Sequence, residues 1–134
     1  MSQSVVMLDT DVASAEFKRK QLPILAKIAG SRPAISFVTF GEMTKWAEIR
    51  SWAPHNRDLL DEWLSRMPTV HSSDEVATKW GELSAVGSRS GRHRPQNDTW
   101  IAAVCITHGI PLATLNLKDF EDFEVHHGLQ LVRA

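Results

Sequence analysis

Short apolar segments that alternate with helical segments constrain the fold more than any other feature of this chain. Val5–Leu8 is an uninterrupted apolar run, and Ala34–Val38, 111–114 and 129–132 are apolar runs that each contain one polar residue. Such runs are typical of strands that are buried on both faces of a sheet. Between them, apolar residues recur three or four positions apart, as in amphipathic helices. The alternation predicts an α/β fold whose central, mainly parallel sheet has four to five short strands.

Proline, glycine and capping residues bound the predicted helices. Residues 13–28 have a helical pattern, within which Pro23 starts a second helix. Another helix is predicted to begin at Thr39, and 56–67 is predicted to be an amphipathic helix. A further helix opens at Ser73 or Asp74, and the clearest helix, 98–108, ends at Gly109. We predict a turn-rich loop over 87–95, a short strand at 69–71 and only a short turn after residue 114.

Length and composition limit the class of protein. The chain has 134 residues, which suits one domain spanning 1–134. Its net charge is −1, so binding to nucleic acid would depend on local basic patches. One cysteine excludes an internal disulfide. Because no apolar run approaches the ~20 residues of a membrane span and no signal-peptide pattern is present, we expect a cytoplasmic protein with no membrane partner.

Acidic side chains follow several of the predicted strands. Because the carboxyl ends of parallel strands meet at one edge of a sheet, we expect these side chains to lie together. Clustered carboxylates repel one another and raise one another's pKa, and a divalent cation removes that conflict. Oxygen ligands suit Mg²⁺, for which Mn²⁺ can substitute. The residues in question are Asp9, Asp11, Glu42, Asp98, Asn116 and Asp119.

Each of these residues also has a purely structural interpretation. Asp9 or Asp11 could cap the helix after the first strand, and Asp98 could cap the clearest helix. Asn116 or Asp119 could cap a short turn. Glu42 lies three residues after Thr39, which is the spacing of a capping box. Caps explain each acid singly, but the same placement at four chain positions favours a shared site.

Four motifs in order resemble the PIN domains, and among them the VapC-type toxins of bacterial toxin–antitoxin pairs. The motifs are LDTDV at 8–12, TFGE at 39–42, NDTWIAA at 97–103 and LATLNLKDF at 112–120. The resemblance implies an α/β/α sandwich, a divalent metal ion, RNA cleavage, a cognate antitoxin and a homodimer. It also implies an acidic catalytic and metal-binding site formed by Asp9, Glu42, Asp98 and Asp119. Supporting roles are implied for Thr10, Asp11, Thr114 and Asn116.

A basic segment precedes Asp98. Arg89, Arg92 and Arg94 lie in a stretch without acids, and they are predicted to bind RNA phosphates beside the acidic site. The alternative is a solvated loop. Among five tryptophans, Trp63, Trp80 and Trp100 fall on apolar helix faces and are predicted to pack in the core, while Trp46 or Trp52 is a candidate interface residue. The pair His126 and His127 is predicted to lie in extended chain, without a joint metal role.

The sequence therefore predicts a metal-dependent endoribonuclease that acts as a toxin. One alternative is a catalytically inactive PIN-type RNA-binding or interaction module. Another is a receiver-like α/β domain, which would use clustered acids for Mg²⁺ and a lysine after a late strand, where Lys118 is the available residue. The identity of the RNA stays open, because RNA recognition often depends on shape and loops.

Overall fold

The computed structural model describes residues 4–134, so residues 1–3 of the predicted domain lie outside the described residues. Five strands and seven helices are present in the described range. In chain order they are β1 Val5–Leu8, α1 Thr10–Phe17, α2 Pro23–Lys27, β2 Arg32–Ser36, α3 Phe37–Ile49, α4 Pro54–Arg66, β3 Thr69–Val70, α5 Asp74–Arg89, α6 Gln96–His108, β4 Leu112–Ala113, α7 Leu117–His127 and β5 Leu131–Val132.

The strands form one parallel sheet in the order β3-β2-β1-β4-β5. The predicted α/β class and the number of strands are thereby confirmed. In this order β1 is central, and the strand order reverses between β1 and β4, which is the position where α/β sheets form a ligand crevice. Receiver-like domains have the order 2-1-3-4-5 instead. The strand order therefore contradicts the receiver-like alternative.

Alternation along the central strands places side chains in two hydrophobic layers, one on each face of the sheet. Met7 packs in one layer, with residues of α5, α6 and α7, whereas its neighbours Val6 and Leu8 pack in the other, with residues of α1 to α4. Leu112 and Ala113 divide in the same way. Both faces of the sheet are covered, as in an α/β/α sandwich, so the carboxyl edge of the sheet is where polar groups collect.

Several boundaries differ from those predicted, among them those of β2, α5 and α1. Strand β2 ends at Ser36, because the Ser36 hydroxyl accepts a hydrogen bond from the Thr39 amide (3.2 Å) and caps α3 two residues earlier than expected. Helix α5 continues through Gly87 to Arg89, into the predicted loop. Helix α1 starts at Thr10 rather than at residue 13 and ends before Lys18.

Helix α7 was not predicted. Its apolar residues Phe120 and Phe123 are three positions apart and both are buried, but the acids around them made the segment look like a solvated turn. His126 and His127 therefore lie in the last turn of a helix, and the prediction of extended chain for them was wrong. Asp122 and Glu124 of this helix are paired with Arg94 and Arg133.

The tryptophan predictions are mostly confirmed. Trp63, Trp80 and Trp100 are partly buried against the two hydrophobic layers. Trp52 also packs there and stacks on Phe17, with 6.1 Å between ring centroids, which leaves Trp46 as the less constrained of the two interface candidates. Within residues 4–134, no helix has the length and apolar character needed to cross a membrane.

Candidate active site

The candidate site lies at the carboxyl edge of the sheet, beside the two strands where the strand order reverses. Asp9 directly follows the central strand β1, and Thr114 directly follows its neighbour β4. The amide of Asp9 donates to the carbonyl of Ala113 (2.9 Å), so the parallel pairing of the strands continues to the first residue of the site. The side chains of Asp9 and Thr114, which are 105 residues apart in the sequence, are thereby brought into direct contact.

Asp9 is held by both of its carboxylate oxygens. Its Oδ1 accepts from the Thr10 amide at 2.8 Å, and its Oδ2 accepts from the Thr114 hydroxyl at 2.7 Å. Asp9 is also the N-cap of α1, so the capping interpretation is correct for this residue without excluding a second role. The side chain is buried, with the residue only 6% exposed. Asp9 is therefore a fixed carboxylate at the floor of the site.

A chain of hydroxyl groups connects α1 with the acid of α3. The Thr10 hydroxyl donates to Glu42 Oε1 at 2.8 Å and lies 2.9 Å from the Thr39 hydroxyl. Because the Thr10 proton is used for Glu42, the Thr39 hydroxyl is the donor to Thr10. Glu42 lies in the second turn of α3, whose N-cap is Ser36, so the capping-box interpretation of Glu42 was wrong. Its carboxylate is instead oriented toward the site.

Asp11 joins the start of α1 to the segment between β4 and α7. Its Oδ1 accepts from the Val12 amide at 2.7 Å, and its Oδ2 accepts from the Asn116 side-chain amide at 3.0 Å and the Leu115 amide at 3.3 Å. The main-chain amide of Asn116 donates to the Thr114 hydroxyl at 3.0 Å. Asp11 and Asn116 thus fix the loop that carries Thr114 and leads into α7.

Asp98 and Asp119 complete the acidic edge from α6 and α7. Asp98 lies in the first turn of α6, whose N-cap is Pro95, so the capping interpretation of Asp98 was wrong. It is half-buried, whereas Asp119 is exposed. The charges of Asp11 and Asp98 act on Asp9, and those of Asp119, Glu42 and Asp11 act on Asp98, so the five carboxylates lie close to one another. We call this set the acidic edge: Asp9, Asp11, Glu42, Asp98 and Asp119.

The surroundings of the acidic edge disfavour negative charge. Burial raises the pKa of Asp9 from 3.8 to about 7, with further increases from Asp11 and Asp98 that the hydrogen bonds from Thr114 and Thr10 partly offset. Burial also raises the pKa of Asp98 to about 6, assisted by the charges of Asp119, Glu42 and Asp11. The pKa of Asp11 is raised too, first by burial. At neutral pH the edge carries charge that the fold itself does not neutralise.

The donor set fits a hard divalent cation that keeps much of its water. Within residues 4–134, no three Asp, Glu, His or Cys side chains already converge as a ready-made metal cage. Mg²⁺ usually binds through one or two carboxylates and retains several waters, so it does not require such a cage. Oxygen ligands and repelling carboxylates both favour Mg²⁺ or Mn²⁺ over a metal that prefers sulfur or imidazole.

The three arginines of the predicted RNA-binding segment lie in different environments. Arg89 ends α5 and is exposed, and the Arg92 side chain is 74% exposed, 3.7 Å from Asp122. The Arg94 side chain is only 9% exposed. It donates to the Leu83 carbonyl at 2.9 Å and to Asp122, and its guanidinium lies 4.6 Å from the ring centroid of Phe123. Arg94 is therefore engaged inside the protein, and its assignment as a residue that grips RNA is corrected.

Sequence reasoning missed Thr39 as part of the site. It was considered only as a capping partner, yet it is fully buried and its hydroxyl orients Thr10. A buried threonine shortly after the second strand, opposite the threonine that follows Asp9, is the signal that would have identified it. Thr39 meets Thr10 because β1 and β2 are neighbours in the sheet, and sequence spacing alone does not reveal that contact.

A PIN-domain family model matches residues 6–125. The chain belongs to the PIN-domain family. This PIN domain is 30% identical over 118 residues to the tRNA(fMet)-specific endonuclease VapC of Salmonella typhimurium, with 86% of this chain and 89% of that protein covered. It is 29% identical over 117 residues to Ribonuclease VapC2 of Haemophilus influenzae, with the same two shares covered. The resemblance to VapC-type proteins is confirmed.

Solved structures agree with this assignment. The DNA-bound VapBC structure of Salmonella typhimurium contains a chain that matches with a TM-score of 0.81 and 27% identity, covering 97% of both chains. VapBC2 of Rickettsia felis, bound to a promoter DNA fragment, matches with a TM-score of 0.77 and 26% identity, covering 96% of this chain and 97% of that one. The PIN-like α/β/α sandwich is thereby confirmed.

Proposed function

We propose that this PIN domain is a metal-dependent endoribonuclease and the toxin of a toxin–antitoxin pair. The observation that carries the proposal is the acidic edge: five carboxylates from four chain segments, two of them with strongly raised pKa values, at the strand-order reversal of the sheet. The names of the relatives in Salmonella and Haemophilus, an endonuclease and a ribonuclease, support it.

In this proposal Asp9, Glu42, Asp98 and Asp119 hold Mg²⁺ or Mn²⁺, and Thr10, Asp11, Thr114 and Asn116 support them. When bound, the cation would polarise an attacking water and neutralise charge on the scissile phosphate. The hydrogen bonds from Thr10 and Thr114 keep Asp9 in one orientation, so no rearrangement is needed to present it. Because a carboxylate ligand must be deprotonated, Asp98, with its pKa of about 6 in the metal-free protein, would release its proton when the cation binds.

The experiment is a cleavage assay on purified protein with mixed cellular RNA, followed by sequencing of the new RNA ends. We expect cleavage with Mg²⁺ or Mn²⁺ and none after chelation with EDTA. The same ions should raise the melting temperature, because a ligand that binds only the folded state stabilises it by mass action. Asp119→Ala should weaken that rise. No cleavage by metal-loaded wild-type protein would contradict the proposal.

The second candidate is a catalytically inactive PIN-type RNA-binding or interaction module. The lack of a preformed three-residue metal cage within residues 4–134 is the observation that favours it. The two candidates differ in one measurement, since an inactive module would bind RNA without producing new ends at any metal concentration. The first candidate predicts no tight zinc site, because the described residues contain no cluster of thiolate or imidazole ligands. Tight zinc binding would therefore count against it.

The proposal includes a cognate antitoxin, for which the VapBC complexes are the precedent. A homodimer is proposed as well. Ile49 at the end of α3 is 68% exposed, and it is an apolar side chain that a partner would cover. Measuring the molecular mass with and without the antitoxin tests both assemblies.

A further inference from the structure

A groove between α3 and α6 opens beside the acidic edge. Its volume is about 330 Å³, at the lower end of the range for small-molecule sites. From α3 it is lined by Phe37, Gly41, Glu42 and Lys45, and from α6 by Asn97 and Trp100. We call it the α3–α6 groove. Glu42 belongs to both the groove and the acidic edge, and Asn97 precedes Asp98, so the two sites are continuous.

Aromatic side chains form a rigid wall of the groove. Trp100 stacks on Trp80 with ring centroids 4.9 Å apart and an interplanar angle of 14°, and Phe37 meets Trp100 edge to face at 5.7 Å. Trp100 is only partly buried, although it packs against the hydrophobic layer behind it. Trp80 covers one face of Trp100 and fixes its orientation, so a flat ligand can pack against the part of the indole that lines the groove without further ordering of side chains.

Polar groups at the groove suit a nucleotide. Asn97 is exposed at the first turn of α6 and offers both a donor and an acceptor, as recognition of a base edge requires. Lys45 is exposed two turns along α3 from Phe37 and supplies a positive charge near the otherwise acidic mouth. Base stacking on aromatic residues next to a cation is a general mode of single-stranded RNA binding.

We propose that the α3–α6 groove binds one base of the RNA, next to the phosphate held at the acidic edge. This inference rests on the proposed function, because the position of the phosphate is taken from it. The groove then contributes affinity through stacking on Trp100, an electrostatic contact from Lys45 and selection among bases through Asn97. The occupant is RNA rather than a protein segment, because the groove continues directly into the acids that would act on the phosphate.

Gly41 allows the groove to be filled without disturbing the fold. A Cβ built at Gly41 meets no atom within 4 Å, and the residue lies inside α3, where leucine favours the helix more than glycine does. Gly41→Leu therefore places a side chain in the groove. Gly81→Leu is the matched control, because Gly81 lies inside α5, also has no atom within 4 Å of an added Cβ, and does not line the groove. Both variants should melt at or above the parent temperature.

The test measures binding of short single-stranded homopolymer RNAs and of an abasic ribose-phosphate oligomer of equal length. Both leucine variants are made in an Asp98→Asn background, so turnover does not interfere. The parent should bind the homopolymer RNAs roughly 5- to 150-fold more tightly than the abasic oligomer, the range expected for stacking of one base. We call this ratio the base-dependent gain. Gly41→Leu should lose most of this gain, and Gly81→Leu should keep it. Binding of the abasic oligomer should change little in either.

Three results would overturn the inference. The first is equal base-dependent affinity in the two leucine variants, and the second is no gain in affinity from bases in the parent. The third is unchanged RNA binding by Gly41→Leu together with weakened binding of the cognate antitoxin, which would assign the groove to a protein segment. Cleavage by wild-type protein is scored separately. Base-dependent binding without cleavage would retain the groove and refute the nuclease function.

Discussion

Two carboxylates of α7, Asp119 and Asp122, are three residues apart and lie in opposite electrostatic environments. Asp119 faces the acidic edge, where its charge raises the pKa values of Asp98 and Asp11. Asp122 pairs with Arg94, and although burial alone would raise its pKa, the hydrogen bond and charge of Arg94 lower it. One helix thus carries one acid that meets other acids and one that meets a cation.

The difference separates stabilising charges from functional ones. Arg94, Asp122 and the residues around Arg94 form a cluster in which charge is neutralised within the chain. At the acidic edge the carboxylates meet one another, and no arginine or lysine of the chain is paired with them in an ion pair among the described residues. A repulsion between carboxylates that the fold leaves in place costs stability, which is consistent with the proposed cation site.

The largest effect that tests this comparison is on cleavage. Asp98→Asn should reduce metal-dependent cleavage by roughly 100-fold or more, since even outer-shell partners of metal ligands contribute about 10–100-fold. Asp122→Asn, which changes an acid inside the arginine cluster, should leave cleavage close to wild type. The measurement is the rate of RNA cleavage at saturating Mg²⁺. Equal losses in the two variants would remove the distinction between the regions.

The second effect is on the pH dependence of stability without metal. The raised folded-state pKa of Asp9 means that its favourable contribution is complete below about pH 4 and is lost as pH rises through about 7. Since one pKa unit corresponds to about 1.4 kcal/mol, ionising Asp9 costs the folded state on the order of 4 kcal/mol at most. Asp9→Asn should therefore stabilise the metal-free protein at pH 8 and change it little at pH 4.

The measurement is urea unfolding in chelator at both pH values. Asparagine keeps an oxygen that accepts from the Thr10 amide, and the Thr114 hydroxyl can rotate to accept from the new amide, so the local structure is retained. Asp122→Asn is the opposite control, because Asp122 has a lowered pKa and its charge stabilises the fold above its unfolded-state pKa. Destabilisation of Asp9→Asn at pH 8 would show that Asp9 serves the fold alone.

The third effect concerns the Arg94 cluster. Arg94→Met should cost about 1.5–3 kcal/mol, the usual contribution of hydrogen bonds to charged groups, because the Leu83 carbonyl and Asp122 lose a donor. Arg92→Met, which removes a 74% exposed partner of the same aspartate, should cost less than about 1 kcal/mol. Urea unfolding at pH 7 compares the two. Equal costs would mean that Arg94 is no more structural than Arg92.

Much of this molecule follows from local pattern, and the exceptions have physical causes. The apolar runs predicted β1 and the parallel sheet, and the acids after the strands marked the edge where Asp9, Asp98 and Asp119 lie together. Helix α7 was missed because its acids are neutralised by arginines, Arg94 and Arg133, that lie outside the helix. Arg94 was misassigned for the same reason, since its partners are in α7 and α5. Ion pairs and hydrogen bonds between elements distant in the sequence leave no signal in its hydrophobic periodicity.

The smallest expected effect concerns the two arginines that remain exposed. Arg89→Gln with Arg92→Gln should weaken RNA binding and reduce the salt slope, by about 0.7 for each phosphate of a single strand that the variant no longer neutralises. The exposed pair Arg32 and Arg66 is the control, since Arg32 begins β2 at the opposite edge of the sheet and Arg66 ends α4. Binding is measured across a salt series in the Asp98→Asn background. Because phosphate contacts position RNA without specifying its sequence, the choice of cleavage site in otherwise wild-type protein should not change. If both double variants give the same salt slope, Arg89 and Arg92 are merely solvated and do not contact RNA phosphates.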